Sequence, residues 1–136
     1  MLENHVMNLQ DHELDIIRSV AESASDIPLL MLNQNLYSDE ADFPNGQAYV
    51  AYMAILHSTV EKVGGKVLWR TRVEGQAIGC DHDKIHEVLA IWYPSHQSFL
   101  ELAKADGAAE MLARRKNCVA NAVIHRCKGD AYPFRP

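Results

Sequence analysis

Five side chains have the chemistry to hold a small organic molecule: Asn33, Asn35, Arg70, Trp92 and His125. Asn33 and Asn35 are two residues apart in LLMLNQNLY, so strand alternation places them side by side on one face. Arg70 offers a planar fork of N–H donors that matches a carboxylate, an enolate or a polarised carbonyl. Trp92 offers an apolar wall, and the two amides orient what lies against it. His125 is the member able to move a proton near neutral pH. Taken as one set on the interior face of a sheet, these residues are the ligand-binding candidates. Arg70 would stabilise a developing oxyanion and His125 would transfer the proton. The structural alternative is that Arg70 and Arg72 are solvated or paired with Glu74 or Glu87. The asparagines then satisfy each other and Trp92 packs against a partner.

Other chemistries are less well supplied. Cys80, Asp81, His82, Asp83 and His86 crowd one loop with metal-ligand types, but their spacing matches no closed zinc pattern, and no metal is assigned. Ser95-His96 opens a helix, where Ser95 reads as an N-cap, and no G-x-S-x-G elbow is present. Cys118 and Cys127 read as small buried hydrophobes. Gly64-Gly65 follows a helix and precedes a strand, the wrong context for a phosphate loop, so no cofactor is expected. The stripe Tyr49, Tyr52, Met53, Leu56 reads as core, and His57 beside it as an exposed or satisfied residue.

The elements that position these residues follow from periodicity. Residues 8–24 have a helical stripe of Leu9, Ile16, Ile17, Val20 and Ala24, with Asn8 or Asp11 as cap. Residues 29–37 read as a strand with Leu30, Leu32 and Leu36 on one face and Asn33, Asn35 and Tyr37 on the other. A polar loop over 38–46 leads to a helix over 47–63, ended by Gly64-Gly65. Residues 66–74 alternate, with Val67, Trp69, Thr71 and Val73 opposite Leu68, Arg70 and Arg72. After a loop over 75–84, residues 87–93 form an apolar run that reads as a strand buried on both faces. Pro94 stops it, and a helix follows over 95–105. A break at Asp106-Gly107, a helical segment to Arg115 and a strand over 119–128 complete the pattern.

After the first helix the order is β-α-β-β-α-β, which predicts an α+β, ferredoxin-like sandwich with a four-stranded antiparallel sheet. The expected division is an N-terminal helical extension over 1–27, the ferredoxin-like domain over 28–130 and a tail over 131–136. Helices cover one sheet face only, and the other is predicted to carry Met31, Leu68, Val88, Ala90 and Trp92. An apolar face of that size calls for a second copy, so a homodimer is expected. Leu89, Ile91 and Tyr93 are expected under the helices.

Composition narrows the partners. With 13 Lys and Arg against 18 Asp and Glu the net charge is −5, which argues against a nucleic-acid surface. Arg114-Arg115-Lys116 reads as a solvated face near a helix C-terminus. No apolar run reaches the length of a membrane span, and the acidic N-terminus lacks signal-peptide order. Three cysteines without CxxC spacing suit a cytoplasmic protein.

The segments YVAY at 49–52, GGKVLWR at 64–70 and IWYPSHQSFLEL at 91–102 resemble the domain-of-unknown-function family numbered 1330. The resemblance covers residues 29–129 and implies a protomer of the dimeric α/β barrel superfamily. Family members often carry a glutamate two residues before the proline, where this chain has Trp92, and a short acidic turn where it has the 38–46 loop. The superfamily hosts monooxygenases, decarboxylases, isomerases and stress-responsive proteins. The resemblance therefore implies a fold and a dimer, and leaves open whether the protein is an enzyme. The functional expectation is a small protein binding or transforming a small organic molecule on its sheet face. The alternative is a non-catalytic dimerisation module.

Overall fold

The computed structural model describes residues 9–130. Within them the elements run α1 (Asp11–Glu22), β1 (Leu29–Tyr37), α2 (Gln47–Lys62), β2 (Lys66–Arg72), β3 (Glu87–Tyr93), α3 (His96–Glu101), α4 (Ala108–Cys118) and β4 (Val119–Lys128). The four strands form one antiparallel sheet in the order β2-β3-β1-β4. The two most apolar strands are therefore central, where each is hydrogen-bonded on both edges. The fold is α+β, and among the described residues no helix is long and apolar enough to cross a membrane.

Local chemistry accounts for the element ends. Ser95 caps α3, its Oγ accepting the Ser98 N–H at 3.0 Å. Asp26 caps the same end from a distance, accepting the His96 and Gln97 N–H groups at 2.7 and 3.2 Å. This clamps the chain ahead of β1 onto the start of α3 and satisfies donors that a helix cannot pair internally. The predicted cap Asn8 lies outside the described residues, and so does the tail over 131–136. Asp11 is the first helical residue of α1, whose N-cap position is Gln10. Gly64 takes φ +84° after α2. A Cβ on Gly65 would stand 2.8 Å from Val60 and 2.9 Å from the Trp92 carbonyl, so only glycine lets the α2–β2 corner pass this close to β3.

The core lies between the sheet and the helices. Leu29 and Met31 from β1, Leu89, Ile91 and Tyr93 from β3, and Ile17, Tyr52, Leu56, Val60, Phe99 and Met111 from the helices pack together. The N-terminal helix α1 joins this layer through Ile17, and the Glu13–Arg126 ion pair at 2.8 Å ties it to β4. That pair holds the Glu13 carboxyl below its ordinary value, chiefly through the hydrogen bond from Arg126.

Two face assignments differ from expectation. Met31 is 4% exposed and lies under the helices, because β1 and β3 pair Leu30 with Trp92 and Met31 with Ile91. Cross-strand partners share a face, so Leu30, Leu32, Gln34 and Leu36 lie on the open face with Val88, Ala90 and Trp92. The start of β1 is apolar on both sides, so its pattern does not distinguish the faces. In β2, a register shift between Val67 and Trp69 inserts one extra residue. Leu68 and Trp69 together oppose Ala90, and the alternation inverts: Val67, Arg70 and Arg72 turn toward the helices, and Trp69 and Thr71 turn away.

Candidate functional site

Glu87 stands at the first residue of β3, on the helix-covered face, and is 4% exposed. Its carboxylate accepts the Tyr37 hydroxyl at 2.6 Å and the Tyr49 hydroxyl at 2.8 and 2.9 Å. Tyr37 ends β1, the neighbouring strand, and Tyr49 lies in the first turn of α2. Arg70 reaches in from β2: its guanidinium donates to the Tyr49 hydroxyl oxygen at 2.7 Å and lies 3.6 Å from the Glu87 carboxylate. Asn35 Nδ2 donates to the Tyr37 hydroxyl oxygen at 3.2 Å. One carboxylate is thus held by groups from both neighbouring strands and a helix. A buried charge is tolerable only when paired and hydrogen-bonded in this way.

The tyrosines are held as neutral donors. Burial, reinforced by the adjacent Glu87 carboxylate, raises both phenol pKa values above the ordinary tyrosine range. Each keeps its proton at neutral pH, which suits its hydrogen bond to Glu87.

An aromatic cluster walls this network. Phe43 stacks on Tyr37 at 5.1 Å between centroids and meets Tyr49 edge-on at 4.9 Å. The ring of His86 packs against Phe43 at 5.5 Å, and its Nδ1 accepts the Tyr37 N–H at 2.9 Å. Phe43 lies in the loop between β1 and α2, joined to Pro44 by a cis peptide bond. The Arg72 guanidinium lies 6.0 Å from the Phe43 centroid, within range of a cation–π contact.

Between α2, β2 and this loop opens a cleft of about 610 Å³. Glu87 and Tyr49 form part of its lining, with Met53, Ala54 and His57 along α2 and Arg70 and Arg72 along β2. The volume falls within the ~300–1,000 Å³ typical of small-molecule sites. Burial, and then the charge of Arg70, lowers the His57 pKa. Its Nε2 is buried and has no hydrogen-bond partner among the described residues, which differs from the expectation of an exposed or satisfied side chain.

The predicted set is divided by the sheet. Asn33, Asn35 and Arg70 lie on the helix-covered face; Trp92 and His125 lie on the open one. The row Arg70, Leu89, Asn33, Ile124 shares the first face, and the row Trp69, Ala90, Leu32, His125 shares the second. Arg70 and His125 therefore do not meet across one ligand. Trp92 Nε1 donates to the Gly129 carbonyl at 3.1 Å, and His125 Nε2 lies 3.4 Å from Gln34 Oε1. Asn33 and Asn35 are buried, and the Oδ1 of each has no partner among the described residues. The pairing of Arg70 with Glu87, raised as the structural alternative, is present. The sequence patterns do not mark Glu87, Tyr37, Tyr49 and Phe43 as site residues. Their only sequence signal is a carboxylate at the head of an otherwise apolar strand, a residue type that requires partners when buried.

In the loop ahead of β3, Asp83 accepts the Cys80 N–H at 2.9 Å, and His86 faces inward as described. Among the described residues no three His, Cys, Asp or Glu side chains converge on a metal position.

No protein-family model and no curated protein matches the chain. Among solved structures it is similar to the RPA0582 protein of Rhodopseudomonas palustris, described as a protein of unknown function. The two are 25% identical, with a TM-score of 0.73 over 94% of this chain and 96% of that one. The methylated form of the same protein gives 25% identity and a TM-score of 0.74, covering 94% of each chain.

Proposed function

We propose that the protein binds a small organic molecule in the cleft between α2 and β2, on a ferredoxin-like protomer that pairs as a dimeric α/β barrel. The observation that carries the ligand reading is the Glu87 network at the cleft lining. A buried carboxylate, two neutral phenols and an arginine from separate elements converge beside a ligand-sized space. The strand order β2-β3-β1-β4 with helices on one face supports the protomer reading. The same order, with the Gly64-Gly65 pair and the Tyr93-Pro94-Ser95 corner, supports placing the chain with the 1330 family. Three free cysteines support a reducing, cytoplasmic setting.

The open sheet face supports the dimer. Leu68 and Trp69 are 44% and 51% exposed and Val123 is 45% exposed, beside half-buried Leu30, Leu32, Leu36 and Trp92. The Trp92 indole N–H is already engaged by Gly129, which favours packing over ligand recognition on that face. Ligand binding and dimerisation thus belong to opposite faces, and the dimerisation-module reading applies to the open one.

A cavity-filling variant tests the cleft. Ala54 is exposed on α2 and lines it, so Ala54→Trp occupies the space with little effect on the core. In a thermal-shift screen of small organic acids, amides and ketones, stabilising compounds should lose their effect on the variant. Equal stabilisation of both proteins places binding elsewhere.

A further inference from the structure

We propose that the ligand of this cleft is a small organic monocarboxylate, its carboxylate seated on Arg72 and Arg70 and its apolar body against Phe43 and Met53. This rests on the small-molecule reading of the cleft and names its ligand class.

The argument begins with charge. Arg70, Arg72 and Glu87 line the cleft, so its lining carries one more arginine than carboxylate. Glu87 is already provided for by the two phenols and by Arg70 at 3.6 Å. Arg70 uses one Nη1–H on Tyr49, and its side chain remains 40% exposed. Arg72 has a cation–π contact with Phe43 and no ion pair among the described residues. A guanidinium presents five N–H donors in a fixed fork, so both arginines retain free donors on the lining of the same cleft. His57 adds no further cation, because burial and Arg70 disfavour its protonated form. Glu61 and Lys66 belong to the neighbouring depression beyond His57, away from Arg72. The surplus is thus a single positive charge in a protein whose net charge is −5. It matches a monoanion better than a phosphate, which carries about −1.5 to −2 at neutral pH.

The rest of the lining sets the body of the ligand. Phe43, Pro44, Val50, Met53 and Ala54 give an apolar wall facing the arginines. Arg72 over the Phe43 ring marks where the charged and apolar ends meet. A molecule with a carboxylate at one end and a hydrocarbon body satisfies both surfaces; free phosphate satisfies only one.

Benzoate, its neutral isostere benzamide and inorganic phosphate are suitable probes for NMR titration of the full chain. Benzoate should bind at least about tenfold more tightly than benzamide, as expected for hydrogen bonds to a charged group. Arg72→Met should weaken benzoate by a similar factor while leaving benzamide unchanged. Arg72→Lys, which keeps the charge without the fork, should restore part of the loss. Arg72 is exposed, so these variants should fold as the parent does, with unchanged melting temperatures as the check. Equal binding of benzoate and benzamide, tighter binding of phosphate, or indifference to Arg72→Met each overturns the carboxylate assignment. Neutral probes that bind in a manner sensitive to Ala54→Trp, with benzoate silent, overturn this assignment alone. Silence of every probe, and of the wider screen, removes the cleft reading with it.

Discussion

Glu87 is 4% exposed, and its environment shows what a buried carboxylate requires. The Tyr37 and Tyr49 hydroxyls replace lost water, and Arg70 supplies the opposite charge. Removing one donor leaves the charge buried and under-paired. Tyr37→Phe, which preserves the ring stack on Phe43, should therefore lower unfolding stability by about 2 kcal/mol. Urea denaturation measures this, and an unchanged midpoint would show that the hydroxyl is dispensable. None of this was legible in the residues singly. Tyr49 falls on the apolar stripe of α2 and reads as core, which it is, at 4% exposure. Its hydroxyl acquires a role only because β3 delivers a carboxylate to it. In the sequence Glu87 is one of two carboxylates within reach of the arginines, and only the apolar run behind it sets it apart from Glu74.

At the scale of elements, the periodic segments were legible and the faces of two strands were not. The last strand runs from Val119 to Lys128 as the sequence predicts, and Ser95 caps α3 as predicted. These features rest on local chemistry. The extra residue at Leu68 is different: KVLWRTR alternates as a regular strand should, and the bulge appears only in pairing with β3. Without it, Trp69 would turn to the helix side and Arg70 and Arg72 to the open face, and the cleft would lose both cations. The corner before β2 depends equally on tertiary contact. Gly65→Ala places a methyl 2.9 Å from the Trp92 carbonyl, so β2 or β3 must shift. A loss of about 1–3 kcal/mol is expected from such overpacking, read as a lower melting temperature. A variant as stable as the parent would show that the corner has slack.

At the scale of the whole molecule, one sheet separates two surfaces of different character. The helix-covered side holds the polar network and the cleft; the other is an apolar face, the surface assigned to the proposed dimer. Leu32 lies on that face at the centre of β1, paired with Ala90 and His125. Light scattering at micromolar concentration should report two subunits for the parent and one for Leu32→Glu, because a carboxylate at the interface centre would be buried without a partner. A monomeric parent would contradict the dimer directly.

The division between what the sequence determined and what the tertiary structure decided follows the range of the forces involved. Hydrophobic period, helix caps, the Gly64-Gly65 stop and the Pro94 corner act within a few residues. They sufficed for the element order and for Leu89, Ile91 and Tyr93 under the helices. Which arginine meets which carboxylate depends on strand register, on a bulge and on the distance between chain segments far apart in sequence. Tyr37, Tyr49, Arg70 and Glu87 span four elements, and no local pattern links them. The same register sends His125 and Trp92 to the opposite face from Arg70, because a side-chain period of two makes each face assignment hinge on a single residue of offset.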